Sequence, residues 1–433
     1  MRDSKRHRYQ HSSGSQLAHA GGGTDFRMST LPSGLRLVTE QVPSVHSVAV
    51  GVWIDTGSRD ETAEENGISH FIEHSVFKGT HRRRTHHIAQ YLEAVGGYLN
   101  AFTTKDTTCF YARVLAPHLP RAVHLLADII QNPVFPEHEI EKEKQVIIEE
   151  LRGAEDDAED LVHEEFEALL YGRHSLAQSV LGKEQNIAAF SREDLLRFVR
   201  RHYTTENIVI AAAGAVDHDR LAALCAEEFH ALPQCAPVKR RKPRRRGARR
   251  AARSRPVQQT HLVIGSMTEG YHGRSRHALT VLNALLGEGM SSRLFQRLRE
   301  RYGYAYNIYS FLSMYHDAST FGVYAGLEPG QTTRARGHLL REFAALAAHT
   351  VSTRELNRAR EQVVGSMLMS LESMTNRMSR LGRDALVFGR DEPVSQLVEA
   401  LHAVSAEDIR MLAERLFASE RLVEMRLHPP SQH

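Results

Sequence analysis

Apolar and polar positions along the chain follow two rhythms, and the switch between them predicts the elements. Residues 35–42 and 45–55 are dense in Val, Leu and Ile and are separated by Pro43 and Ser44, which predicts two strands. From about residue 67 to 78 the apolar positions return at helical spacing, with Asn66 as the expected N-cap and Gly79 as the expected stop. A second helix is expected over roughly 85–95, ended by Gly96 and Gly97. Strands over 98–104 and 107–115 come next, then helices near 118–131, 137–152 and 156–170, a strand over 207–213 and a helix near 217–231. The order then repeats: a strand over 260–266, helices near 275–286 and 291–301, strands over 304–313 and 318–326, and long helices to about 388. Asp317-Ala-Ser-Thr-Phe321 echoes Asp106-Thr-Thr-Cys-Phe110, and each strand pair leads into a helix. The expectation is an α+β fold of two duplicated α/β-layer units, each a mixed sheet with helices packed on it. The expected division is a disordered tail over 1–26, a first unit over 27–236, a linker over 237–256 and a second unit over 257–433.

Length agrees with two units, since 433 residues exceed what one ordinary core fills. No run approaches the roughly 18 apolar residues of a membrane helix, so no span is expected. Three cysteines, none in a C-x-x-C pair, support neither a disulfide framework nor a cysteine zinc knuckle. Charge matters more by distribution than by sum. The net charge is +3, yet residues 239–255 hold 11 Lys and Arg and no acid, which leaves −8 on the rest. This basic strap is expected to be a solvated linker; contact with an acidic partner is the other reading. It has no interleaved aromatics and no recognised motif, so nucleic acid is not expected as a partner. The first 25 residues are rich in Arg, His, Ser and Gly without an apolar core, which fits a disordered tail, or alternatively an organelle transit peptide, and not a secretory signal.

Residues 70–74 read His-Phe-Ile-Glu-His. In a helix, positions i and i+4 lie on one face, so His70 and His74 present two imidazoles to one point. Glu73 falls about 60° round from His70 at 100° per residue, within reach of a water on a metal held there. Ile68, Phe71, Ile72 and Val76 share the opposite side, which packs inward and leaves the polar side free. The reverse reading, a solvated polar face, has weight in a chain with 26 histidines. A third donor has to come from elsewhere. Glu143 and Glu150 lie seven apart in the helix predicted over 137–152, among Ile140, Val146, Ile147 and Leu151 on its apolar face. Carboxylates there are costly unless paired or bound to metal, whereas Glu141 and Glu149 face solvent. Glu150 is the ligand candidate and Glu143 a supporting carboxylate; pairing of both with Arg or Lys across a helix contact is the alternative. Two imidazoles, one carboxylate and a water make an open tetrahedral site, the catalytic arrangement for Zn2+. Glu73 would serve as its general base.

These residues, with Glu150 76 positions after the second His, resemble the pitrilysin/insulinase-type zinc metallopeptidases, and within them the short processing-peptidase branch. The resemblance runs from about Leu31 to Leu427. It implies His70, His74 and Glu150 as zinc ligands, Glu73 as the catalytic base and Glu143 as the family's second glutamate. It makes the segment of Asn100 and Ala101 the edge strand to which a peptide substrate adds. It pairs Arg299 with Tyr306, with Tyr304 as a near alternative, as groups that reach the substrate across a cavity. It also implies that the first unit is catalytic, that the second has lost the metal motif, and that two units form half of a clamshell chamber. A homodimer, or a heterodimer with a related subunit, would follow. The implied activity is a zinc metalloendopeptidase acting on extended peptides or presequences; a non-catalytic partner or core subunit is the alternative. A bacterial cytoplasmic location is expected, with a mitochondrial-type matrix as the alternative.

Overall fold

The computed structural model describes residues 25–236 and 239–430. The first sheet contains β1 (Asp25–Thr30), β2 (Arg36–Gln41), β3 (Ser47–Ile54), β4 (Tyr98–Thr103), β5 (Thr108–Leu115) and β6 (Ile208–Gly214), in the order β1-β2-β6-β3-β5-β4. The second contains β7 (Arg249–Ser254), β8 (Thr260–Thr268), β9 (Ala305–Met314), β10 (Ser319–Leu327) and β11 (Val423–His428), in the order β7-β11-β8-β10-β9. Without β1 the two orders are the same. Directions match as well: β2 runs parallel to β6, as β7 does to β11, and the remaining pairs are antiparallel. The fold is α+β with two similar halves.

Central strands explain the apolar runs. Every residue of β6 and of β10 is buried, because helices cover both faces of each sheet. One face of each sheet packs on helices of its own half. The other face is covered by a helix from the opposite half. Met374, Met378, Leu381 and Ala385, from the helix Met374–Val387, pack against Val38, Trp53, Cys109 and Val209 of the first sheet. Val162, Phe166 and Leu170, from the helix Ala158–Tyr171, pack against Val263, Tyr324 and Met425 of the second. The exchange is close: a Cβ on Gly382 would lie 2.4 Å from Trp53 Nε1, so only glycine fits beneath the indole. Arg380 and Arg377 of the swapped helix donate to Glu40 on β2.

Buried charge ties the seam. Arg59, 1% exposed at its side chain, donates to Asp106 at 2.8 Å and to Asp317 at 3.0 Å. These two aspartates are the pair whose sequence surroundings repeat, each just ahead of the second strand of its hairpin. Arg240 reaches Asp55 and Asp60, both at 2.7 Å, and the carbonyl of Asp106 at 2.6 Å.

Several expectations change. Asp25 and Phe26 belong to β1, so the tail expected over 1–26 does not extend that far; the rest of it lies outside the described residues. The basic strap is not a plain linker. Its second part is strand β7, on the edge of the second sheet, where arginine side chains stay solvated while the backbone pairs with β11. Two helices, Val394–Ala403 and Ala406–Leu416, extend the second half beyond residue 388. Among the described residues no helix is long and apolar enough to cross a membrane.

Candidate metal centre

The candidate donors sit on the helix Ile68–Ser75, and its start is held from outside. Its N-cap is Gly67, at φ +103°, and not Asn66. A Cβ on Gly67 would lie 2.8 Å from Gly182 Cα, so the two backbones meet only as glycines. The helix has no side-chain N-cap of its own. Glu61, which sequence reasoning missed, takes that part: its Oε2 accepts from Gly67 N at 2.8 Å and Asn66 Nδ2 at 3.0 Å, and its Oε1 from Ser69 N at 2.8 Å. Burial pushes the Glu61 carboxyl up to about 7 against the pull of Asn66 and the backbone donors. An acid a few residues ahead of a helix without a good cap was the signal available.

Ile68, Phe71 and Ile72 pack into the first core, as the wheel predicts. His70 and His74 then stand 4.6 Å apart, ring to ring. The long helix Glu137–Asp156 crosses this one and supplies Glu150. Glu150 Oε2 lies 3.9 Å from His70 Nε2 and 3.7 Å from His74 Nε2. One donor atom from each of the three residues lies within 4.8 Å of the others, and among the described residues this is the single such cluster of three or more. Two imidazole nitrogens and one carboxylate oxygen, converging on one point, fit zinc.

The surroundings favour the neutral ligand form of histidine. Burial, with His74 nearby, lowers His70 to about 4, so its ring is neutral near pH 7. Its Nδ1 is buried without a hydrogen-bond partner among the described residues. His74 Nδ1 lies 3.3 Å from Glu143 Oε2, which turns Nε2 toward Glu150. Glu143 is buried and its Oε1 is held at 2.7 Å by Lys78 Nζ, a residue sequence reasoning missed although it stands four after His74. Glu143 therefore sits behind His74 and not among the converging donors. Glu150 departs from the wheel reading: its side chain is 45% exposed, because it falls at the margin of the apolar sector, while Ile147 and Leu151 beside it stay buried. Val146, placed on the apolar face, is 50% exposed.

Glu73 stands beside the donors. Burial raises its carboxyl above the ordinary 4.5, while the Thr103 hydroxyl and His74 pull it down. Its Oε2 is buried and has no hydrogen-bond partner among the described residues. Thr103 ends β4, the free edge of the first sheet next to this helix. Asn100 and Ala101 lie on that edge, paired on their inner side with Tyr111 and Phe110. The Ala101 N–H donates to Asn100 Oδ1 at 2.8 Å, so a side chain occupies an amide that an added strand would use. In the second half the Arg299 guanidinium lies 5.8 Å from the ring of Tyr306, whose exposure is 77%. Neither residue bonds to the three donors among the described residues.

Comparison with known proteins finds two family models in succession, the second of which begins within the first half. Residues 36–184 match the insulinase model (peptidase family M16), and residues 189–363 match the peptidase M16 inactive domain. An uncharacterized zinc protease of Mycobacterium tuberculosis is 40% identical over 397 residues, covering 90% of this chain and 91% of the relative. Another, YmxG of Bacillus subtilis, is 37% identical and covers 90% of this chain and 95% of its own. A protease from Helicobacter pylori has the same fold, with a TM-score of 0.88 at 22% identity over 94% of this chain and all of its own. The relatives are named zinc proteases, and at the general level this chain is a protease of their class. The chain belongs to the insulinase family, peptidase family M16.

Proposed function

We propose that the protein is a zinc-dependent endopeptidase that cuts extended peptides, with His70, His74 and Glu150 as ligands and Glu73 as the general base. The observation that carries this reading is the convergence of three donor atoms within 4.8 Å, with a buried carboxylate oxygen beside them that has no partner among the described residues. Zinc, when bound, supplies the polarisation of the water and of the scissile carbonyl. The remaining work falls to the chain. Glu73 accepts the proton of the attacking water and passes it to the leaving amine; burial, which raises its carboxyl, suits it to both tasks. Glu143 keeps the His74 ring turned, with Lys78 as its counter-charge. Edge strand β4 takes the substrate as an added strand, Asn100 releasing the Ala101 amide as the peptide arrives. Arg299 and Tyr306, exposed on the inactive half, contact substrate across a chamber that two chains enclose. The proposed units are a catalytic part that starts with β1 and runs to residue 236, and an inactive part over 257–433 whose sheet the strap joins through β7. The relatives are bacterial, and a bacterial cytoplasmic location is proposed with them.

Cleavage of a quenched, basic, extended peptide tests this, with zinc content measured on wild type and Glu73→Gln. Wild type is expected to hold about one zinc and cleave. Glu73→Gln is expected to keep zinc and lose about 10²- to 10⁴-fold in rate. Wild type with neither zinc nor cleavage would overturn the reading and leave a non-catalytic subunit.

A further inference from the structure

Strand β4 has two faces, and the metal donors lie on only one of them. Leu99 and Ala101 pack with the metal helix in the first core. Phe102 turns to the opposite face, where it meets Trp53 edge to face at 5.5 Å between ring centres. The swapped helix Met374–Val387 covers that face, but it lies chiefly across β2, β3 and β6. Beside β4 it leaves a cavity of about 720 Å³ in the seam between the halves. Trp53 and Phe102 line it from the first half, and Tyr271, Met314, Met367 and Leu371 from the second.

The charged groups of this lining are already committed. Asp106 is taken by Arg59, Lys105 pairs with Glu167, Arg380 with Glu40 and Asp391, and Arg383 with Asp384. The hydroxyls of Thr104 and Thr107 bond each other at 3.0 Å, and the Tyr315 hydroxyl donates to Glu167 at 2.8 Å. A charged side chain that entered would find each lining charge already matched and would lose its water for little return. An apolar one would cover aromatic rings and thioethers, which is favourable.

Strand geometry connects the cavity to the free edge. A peptide added to β4 alternates its side chains between the two faces, and residues directly opposite on neighbouring strands point the same way. A substrate residue opposite Ala101 or Thr103 turns its side chain to the metal helix; one opposite Phe102 turns it to the cavity. Thr103, next along, stands beside Glu73, so the residue opposite Phe102 lies within about two positions of the bond that is cut. We propose that the seam cavity is a specificity pocket for one large apolar side chain of the substrate. This rests on the peptidase reading above. Met314 and Met367 are flexible and adapt to several shapes, so the pocket selects for size and apolarity and not for one residue. Its walls come from both halves, so the half without the metal donors takes part in deciding what the other half cuts.

Quenched peptides that carry Phe, Gly or Asp in turn at each position flanking the bond test the proposal. At one position within about two of the bond, wild type is expected to prefer Phe over Gly and over Asp by about tenfold or more in kcat/KM. Ser370, at the exposed end of the helix Thr353–Ser370, also lines the cavity, and Ser370→Trp fills it. The variant is expected to lose that preference to within about twofold, with cleavage of the Gly peptide, zinc content and melting temperature close to wild type. Fluorescence anisotropy with Glu73→Gln, which binds without cutting, is expected to show the same order of peptides. Cleavage with no position that prefers Phe overturns the proposal. So does Ser370→Trp with the full preference retained. If wild type cuts none of the peptides, while Glu73→Gln prefers the Phe peptide and the added Ser370→Trp removes that preference, the pocket stands and the peptidase reading falls.

Discussion

Two helices hold the same place in the two halves and have opposite characters. Ile68–Ser75 and Arg276–Leu286 each follow the strand at the middle of their sheet and precede a second helix and an edge hairpin. The first buries Ile68, Phe71 and Ile72 on one side and turns His70, Glu73 and His74 together on the other. The second buries Ala278, Leu279, Val281, Leu282, Ala284, Leu285 and Leu286, and its polar positions, Arg276, His277, Thr280 and Asn283, hold one imidazole and no carboxylate. The helices that cross them differ in step, since Glu137–Asp156 brings Glu143 and Glu150 to the donors whereas Thr353–Ser370 buries Leu356, Ala359 and Val364. The same scaffold supports a tight core in one half and an open polar face in the other. The polar face needs outside support: Glu61 at the helix start, Lys78 and Glu143 behind His74. The apolar helix needs only its neighbours.

Substitutions can separate the two characters. The largest effect is expected at the metal helix. His70→Ala removes one of three donors, so zinc content should fall to background and cleavage by about 10³-fold or more, while circular dichroism of the metal-free protein stays the same. Retained zinc at wild-type stoichiometry would contradict the ligand set. Next comes the seam that joins the halves. Arg59→Ala leaves Asp106 and Asp317 facing each other without their shared cation, and urea unfolding should show a loss of about 3–5 kcal/mol. An unchanged midpoint would mean that the swapped helices alone hold the halves. The mirror of the first test is Leu282→Ala, fully buried in the second half. It should cost about 2–5 kcal/mol of stability and leave zinc content and cleavage at low temperature close to wild type.

That division of effects also marks how much was legible in the sequence. Helical spacing alone put His70, Glu73 and His74 on one side of one helix, and the seven-residue step selected Glu143 and Glu150. The repeated order of elements, with the Asp106 and Asp317 segments as a marker, exposed the duplication. What stayed hidden is non-local or masked by charge. Nothing in the sequence of 374–387 says that its apolar stripe covers the other half's sheet. Strand β7 reads RRAARS, without alternation, because an edge strand with solvated side chains needs none. Glu150 reads as part of an apolar wheel sector yet lies in the open, since it falls at the margin of that sector beside the exposed Val146. Glu61 shows no pattern at all until the fold brings it to the first turn of the metal helix.

The smallest expected effect concerns the proton on Glu73. Burial raises its carboxyl above 4.5, and the Thr103 hydroxyl is the first of the groups that oppose this. Thr103→Val keeps the shape and removes the hydroxyl. The ionised carboxylate loses a donor, the acid form does not, and the carboxyl moves further up. A general base works only when ionised, so the acid limb of the kcat/KM profile should move to higher pH, with the alkaline plateau within about threefold of wild type. Stability follows the same sign. A carboxyl raised in the folded state contributes fully below its ordinary value and loses that contribution as pH rises through the raised one, so metal-free protein should weaken over that interval, and more so in the variant. The second half has no equivalent group on Arg276–Leu286, which carries no carboxylate. A profile that does not move, with the plateau intact, would mean that the Thr103 hydroxyl does not reach Glu73 in solution, and that zinc and the protein interior alone set the base.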